Sequence, residues 1–183
     1  CGIVLVRKHQ PMRLDESSLA PGCPTLHIES RGLIFDATDA TDAEAVAYVT
    51  SLVSLESGTF LAGWQAGVEK HAPANTIGLA CSRDGAGTWD RLSHQFETTW
   101  QGTPGSFLAA EMVEAEPGRL LLFTTWINRS IPDRPLFNPE TEGILPTRLL
   151  YCSSLDEGET WSEWSELSTP GLTGCAVTGP IVR

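Results

Sequence analysis

The chain has 183 residues, enough for one core of ordinary size, and none of its apolar runs approaches the ~18 residues of a membrane-spanning helix. Its formal net charge of −11 excludes nucleic-acid binding through a general basic surface, and any acidic ligand would need a local arginine cluster. Cys1, Cys23, Cys81, Cys152 and Cys175 form no C-x-x-C pair and no mixed Cys/His cluster, so no metal site is expected and nothing calls for a cofactor.

Residues 1–47 are the least regular stretch, with short strands expected at 2–7, 26–30 and 33–35 and an Ala/Thr/Asp-rich loop at 36–44. From Tyr48 a pattern sets in. A strand at 48–55 leads through the tight turn Glu56-Ser57-Gly58-Thr59 into a second at 60–64. A loop at 65–75 precedes a third strand at 76–81. The octet Ser82-Arg83-Asp84-Gly85-Ala86-Gly87-Thr88-Trp89 follows, and a fourth strand opens at 89–92. The same order then recurs: a strand at 107–115, the turn Glu116-Pro117-Gly118-Arg119, a strand at 120–126 and a long loop at 127–147. A strand at 148–152 leads to a second octet, Ser154-Leu155-Asp156-Glu157-Gly158-Glu159-Thr160-Trp161, and a strand at 161–166. A third unit is expected to begin near Cys175.

Ser, Asp, Thr and Trp hold positions one, three, seven and eight of both octets. The Asp side chain reads as a turn lock that accepts backbone N–H groups ahead of it, and Gly158 supplies a position where positive φ is cheap. Ala86 replaces that glycine in the first copy, so the first turn must shift by a residue or accept strain. A residue that recurs once per repeat is a fastener rather than a catalyst. Ser82, Asp84, Thr88, Trp89, Ser154, Asp156, Gly158, Thr160 and Trp161 are therefore read as structural.

A four-stranded antiparallel unit repeating every sixty to seventy residues is the pattern of a β-propeller blade. The expected fold is all-β. A leading segment at 1–47 precedes a partial propeller at 48–183, with blades at about 48–92 and 107–166 and a start on a third, about two and a half in all. Closure takes roughly 4–8 blades, so the remaining ones are expected in a longer protein. A β-sandwich is the rival architecture. In a meander, the tight turns and the octets share one end, and the long loops at 65–75, 93–106 and 127–147 share the other. Binding is expected on the long-loop face. Glu69 is the candidate general acid there, and Arg129 and Arg134 are a candidate fork for a carboxylate or sulfate. His71, Trp64, Trp100 and Trp126 have plainer readings, as a loop histidine and as packing aromatics. Asn128-Arg129-Ser130 is a formal glycosylation sequon. The compartment is not fixed by the sequence, an extracytoplasmic one being slightly favoured.

The octets resemble the Asp-box, or BNR, repeat of the sialidase (neuraminidase) superfamily, the second fully and the first except at Ala86. The hairpin from Leu52 to Trp64 looks like that superfamily's first-blade hairpin. The resemblance covers about residues 46–183 and implies a six-bladed propeller when complete, acting as a glycoside hydrolase on a sialic acid or another sugar. Catalytic sialidases carry Arg-Ile-Pro at the start of the first strand, where this chain has Tyr48-Val49-Thr50. Their catalytic acid is an Asp in the following loop, where only Glu69 stands. Their tyrosine nucleophile and remaining arginines belong to blades outside this sequence. The alternative is a non-catalytic propeller that binds a glycan or a protein.

Overall fold

The computed structural model describes residues 32–36, 44–131, 133–172 and 174–182. The strands expected at 2–7 and 26–30, and Cys1 and Cys23, lie outside the described residues. The described chain is all-β, with no α-helix.

The first sheet is an antiparallel meander of β1 (Val46–Ser54), β2 (Phe60–Gly67), β3 (Thr76–Ser82) and β4 (Asp90–Arg91), in that order. The second contains β5 (Gly105–Phe107), β6 (Glu111–Glu116), β7 (Arg119–Asn128), β8 (Thr147–Ser154) and β9 (Ser165–Leu167). Both β5 and β6 pair with β7 along one side, Gly105 to Phe107 against Asn128 to Trp126 and Glu111 onward against Phe123. They are one strand broken at 108–110, so the single strand expected at 107–115 is corrected to two segments. The second sheet is thus a four-stranded blade like the first.

The break recurs in β1. Tyr48 opposes Gln65 and Ser51 opposes Gly63, so Val49 and Thr50 share Trp64 as partner. At this break each first strand carries one extra residue, a β-bulge that bends the strand and tightens its twist. In the first blade Val49 absorbs the bulge at φ 47°, an unfavourable conformation for a β-branched residue. In the second, the Thr124 hydroxyl donates to the Ala109 carbonyl at 2.5 Å and the Leu108 N–H donates to the Thr125 carbonyl at 3.0 Å.

The strands alternate side chains between two faces, and this sorts the core. Leu61, Leu79, Cys81, Met112, Leu120, Leu122, Leu150 and Cys152 meet in one apolar layer between the sheets. Gly63 permits the close approach, because a Cβ there would lie 3.1 Å from the Met112 methyl and 3.3 Å from Ala110. The opposite face of the first sheet presents Ala62, Trp64, Ala66 and Ala80, covered by Ile34, Phe35 and Trp89. Phe35 stacks on Trp64 at 5.0 Å and Arg91 lies 4.6 Å over the indole. Residues 33–35, expected as a strand, are a covering segment without strand pairing.

Both octets form the same hydrogen-bonded turn. In the first, the Ser82 hydroxyl donates to Asp84 at 2.8 Å and accepts the Ala86 N–H at 2.9 Å. The Thr88 N–H and hydroxyl donate to the two Asp84 oxygens at 2.9 and 2.8 Å. The second repeats every bond with Ser154, Asp156, Gly158 and Thr160. Ala86 takes φ 70° and Gly158 φ 89°, so the first turn accepts strain and does not shift.

The fourth strands are shorter than the expected 89–92 and 161–166. The Trp161 N–H donates back to the Gly158 carbonyl at 2.9 Å, which holds the ring over its own turn. Beyond β9, residues 174–182 contain no strand. The Cys175 and Val177 N–H groups go to the hydroxyls of Thr147 and Thr125, at 3.0 and 2.8 Å, and not to a strand backbone.

Candidate functional site

Hydrogen bonds between the sheets fix which loops share an end. The buried Glu114 carboxylate accepts the Glu56 N–H at 2.8 Å and the Gly118 N–H at 2.9 Å, tying both tight hairpins together. The Thr59 hydroxyl donates to Glu157 at 3.0 Å, and Arg83 reaches Glu159 at 2.9 Å. Hairpins and octets therefore gather at one end. At the other, Arg129 donates to the His71 carbonyl at 2.9 Å, the Phe107 backbone N–H to the Asn75 carbonyl at 2.9 Å, and the Trp126 indole N–H to the Thr98 carbonyl at 2.9 Å. The three long loops meet there.

The charges of that end are used differently from the sequence expectation. Arg129 is 6% exposed, with Nε on the Ser106 hydroxyl at 2.9 Å and Nη2 on the His71 carbonyl. Burial lowers its pKa from the ordinary arginine value. It clamps two loops and is not one prong of a fork. Arg134 is exposed, its side chain without a partner among the described residues. Glu69 is exposed too. Its carbonyl accepts from Ala72 N–H and the Asn75 amide, while its carboxylate lacks the enclosure a general acid needs.

His71 sits at φ 69°, edge-on to Tyr48 at 6.5 Å and to Phe137 at 5.9 Å. Its Nδ1 is buried without a hydrogen bond, and burial, then Lys70 and Arg129, hold its pKa below the ordinary value. Trp64 and Trp126 are core residues, and Trp100 packs on Trp126 at 5.5 Å, so none is an open sugar platform.

Asp84 and Asp156 are held as anions. The Thr88 N–H, the Thr88 hydroxyl and the Ser82 hydroxyl bring Asp84 down to about 2. The Thr160 hydroxyl leads the same effect at Asp156. Such groups lock turns and do not deliver protons near neutrality.

The carboxyl that does have a site's properties is Glu111, which the sequence reading passed over. It opens β6 immediately after the bulge, is 7% exposed, and has no hydrogen-bond or ion-pair partner among the described residues. Burial raises its pKa. It lines a groove of about 500 Å³ formed by residues 49–54 of β1, 111–113 of β6 and 178–181. The available signal was a single acid immediately after Phe107-Leu108-Ala109-Ala110, an apolar run that predicts burial.

The fold is that of the sialidase-like β-propellers. The described sheets superimpose on a Hadza microbial sialidase, Hz136, with TM-score 0.57 and 18% identity over 68% of this chain and 26% of that one. The NanB sialidase of Streptococcus pneumoniae aligns with TM-score 0.56 and 12% identity over 78% of this chain and 39% of that one. The intramolecular trans-sialidase of Ruminococcus gnavus aligns with TM-score 0.52 and 17% identity over 73% and 50%. The chain thus spans between a quarter and a half of the length of these structures. No family model matches the sequence, and no curated protein sequence matches it.

Proposed function

We propose that the chain is part of a sialidase-like glycoside hydrolase, acting on a sialic acid or another sugar, with its octets serving as Asp boxes. The observation that carries the reading is Glu111, a buried carboxyl with no partner and a raised pKa, opening into the groove along the two first strands. A carboxyl in that state is suited to protonate a leaving glycosidic oxygen. Glu69, Arg129 and Arg134 are accordingly replaced as the leading candidates. The fold likeness to sialidases supports the class, and the Arg129 clamp speaks against gripping a sugar carboxylate with that residue.

The test is hydrolysis of a panel of fluorogenic glycosides, a sialoside included, by the protein and its Glu111→Gln variant. The expected result is turnover of at least one member, reduced about 100-fold or more in the variant, the contribution of a positioned general acid. Turnover unaffected by Glu111→Gln removes Glu111 from the mechanism. No turnover of any member, with glycan binding retained, favours the second reading of a non-catalytic propeller. That reading has its own support in the exposure of Glu69 and the structural use of Arg129.

A further inference from the structure

We infer that Tyr48, His71 and Phe137 form an aromatic subsite on the long-loop face, which holds one sugar of an oligosaccharide while its neighbour lies in the groove at Glu111. The inference rests on the glycan reading above and extends that site to a substrate of at least two sugars. The three rings come from three distant parts of the chain: the start of β1, the loop after β2 and the loop after β7. His71 is at the centre, with the Tyr48 ring 6.5 Å away and the Phe137 ring 5.9 Å away, each set edge to face against it. Tyr48 is 40% exposed and Phe137 49%, so a ligand can reach the two outer rings. Tyr48 immediately precedes Val49, which lines the groove. Ser51 stands three residues beyond Tyr48, and its hydroxyl accepts the N–H of Met112, the residue after Glu111. The rings thus begin roughly 10 Å along β1 from the position beside Glu111, a span that adjoining sugars bridge.

The surroundings hold these rings in place. His71 stands at φ 69°, a left-handed conformation disfavoured for any residue with a Cβ, and strain of that kind gathers at binding sites. Arg129 fixes it there by donating to the His71 carbonyl at 2.9 Å. Phe137 is presented by a loop closed on itself. The Asn138 side-chain oxygen accepts the Glu140 and Thr141 N–H groups at 2.8 and 3.2 Å. The Asn138 N–H donates to the Gly143 carbonyl and its carbonyl accepts the Glu142 N–H, both at 2.8 Å. Leu136 and Leu145 anchor the base of the loop in a small apolar cluster. An exposed ring on so firm a support loses little freedom when a ligand covers it. The chemistry of the cluster selects a sugar as that ligand. A sugar ring lays its C–H face on an aromatic face while its hydroxyls bond at the rim. The Lys70 ammonium, 4.3 Å over the Tyr48 ring, supplies a donor there. Rings set edge to face make small separate surfaces, whereas an amphipathic helix needs a continuous apolar groove.

Isothermal titration with lactose, maltotriose, xylotriose and 3′-sialyllactose, each beside the monosaccharides that compose it, tests the subsite. The expected result is that at least one oligosaccharide binds about tenfold tighter than any of its own monosaccharides, the contribution of one good stacking contact. Phe137→Ala should remove that advantage, and Phe137→Trp, which keeps an aromatic face, should retain it. Tyr48→Leu gives the same reading at a second exposed position should Phe137→Ala fail to fold. An oligosaccharide advantage that survives both Phe137→Ala and Tyr48→Leu would overturn the aromatic subsite and leave the glycan site at Glu111 in place. Monosaccharides that bind as tightly as every oligosaccharide would overturn it in the same way. Absence of binding and hydrolysis for every sugar would remove the glycan reading itself, and the subsite with it.

Discussion

Replacing Gly158 with alanine separates the two octets in a way the sequence alone does not. Gly158 stands at φ 89°, and a Cβ there would lie 2.8 Å from the Leu61 Cδ2 and 3.4 Å from the Leu92 Cδ1. Leu61 is fully buried between the sheets and has no room to yield. The left-handed conformation costs an L-residue about 1–2 kcal/mol, and forcing a methyl into a packed core adds about 1–3 kcal/mol. Gly158→Ala should therefore destabilise the protein by about 2–5 kcal/mol. Ala86→Gly is the internal control. Ala86 already occupies φ 70° in the equivalent turn. Removing its methyl relieves about 1 kcal/mol of strain, while the freer unfolded chain takes back about 0.4–1 kcal/mol, leaving a change near zero. Urea unfolding followed by tryptophan fluorescence reads both, since Trp161 packs beside Gly158. With a slope of about 2 kcal/mol/M, a loss of about 3 kcal/mol moves the midpoint down by about 1.5 M. Equal midpoints for Gly158→Ala and Ala86→Gly would refute the argument that Leu61 closes the space over the second octet.

Three further outcomes are expected. Asp84 titrates at about 2 in the fold against 3.8 ordinarily, so its contribution is complete above pH 3.8 and lost as the pH falls toward 2. Acid unfolding of Asp84→Asn should lack that part of the pH dependence, and an unchanged acid limb would count against the lock. Arg129→Ala should cost about 3 kcal/mol, because two hydrogen bonds from a charged group are lost at a buried junction. Intact stability with weakened glycan binding would instead make Arg129 a ligand-binding group. Glu111 has the opposite linkage to Asp84. Its raised pKa means that stability is full below about pH 4.5 and declines as the pH rises through the folded value. Glu111→Gln should therefore gain in melting temperature relative to the unaltered protein as the pH rises above about 4.5, and a difference that does not change with pH would contradict the desolvation argument.

The parts of this fold readable in the sequence are those set by local chemistry. Gly58 and Gly118 mark tight hairpins because both need positive φ, and the Ser, Asp and Thr of each octet satisfy one another within eight residues. The meander rule placed the long loops together, since it depends on strand order and not on packing detail. The site was harder to read because burial is a tertiary property. Arg129 and Glu69 look alike in sequence as loop charges, yet one is enclosed between loops 58 residues apart and the other stays in solvent. Glu111 was concealed by the opposite effect. In Glu111-Met112-Val113-Glu114 the two acids fall on opposite faces of the strand and neither face reads as apolar, yet Glu114 is capped by two hairpin N–H groups and Glu111 lines the groove with residues 178–181. The bulges at Val49–Thr50 and at 108–110 left no compositional mark, since no glycine was used to make them.

The bond between Thr59 and Glu157 joins residues 98 apart in the chain, whereas each octet closes within four. Contacts so distant in sequence are late to form, because the intervening chain must be ordered before they become favourable. The octet turns can form early as each hairpin folds, and only afterwards does the second one lean on the first blade's turn. Removing Glu157 would then leave the rate of folding nearly untouched and make the protein come apart faster, so this contact adds to how long the paired sheets persist once made.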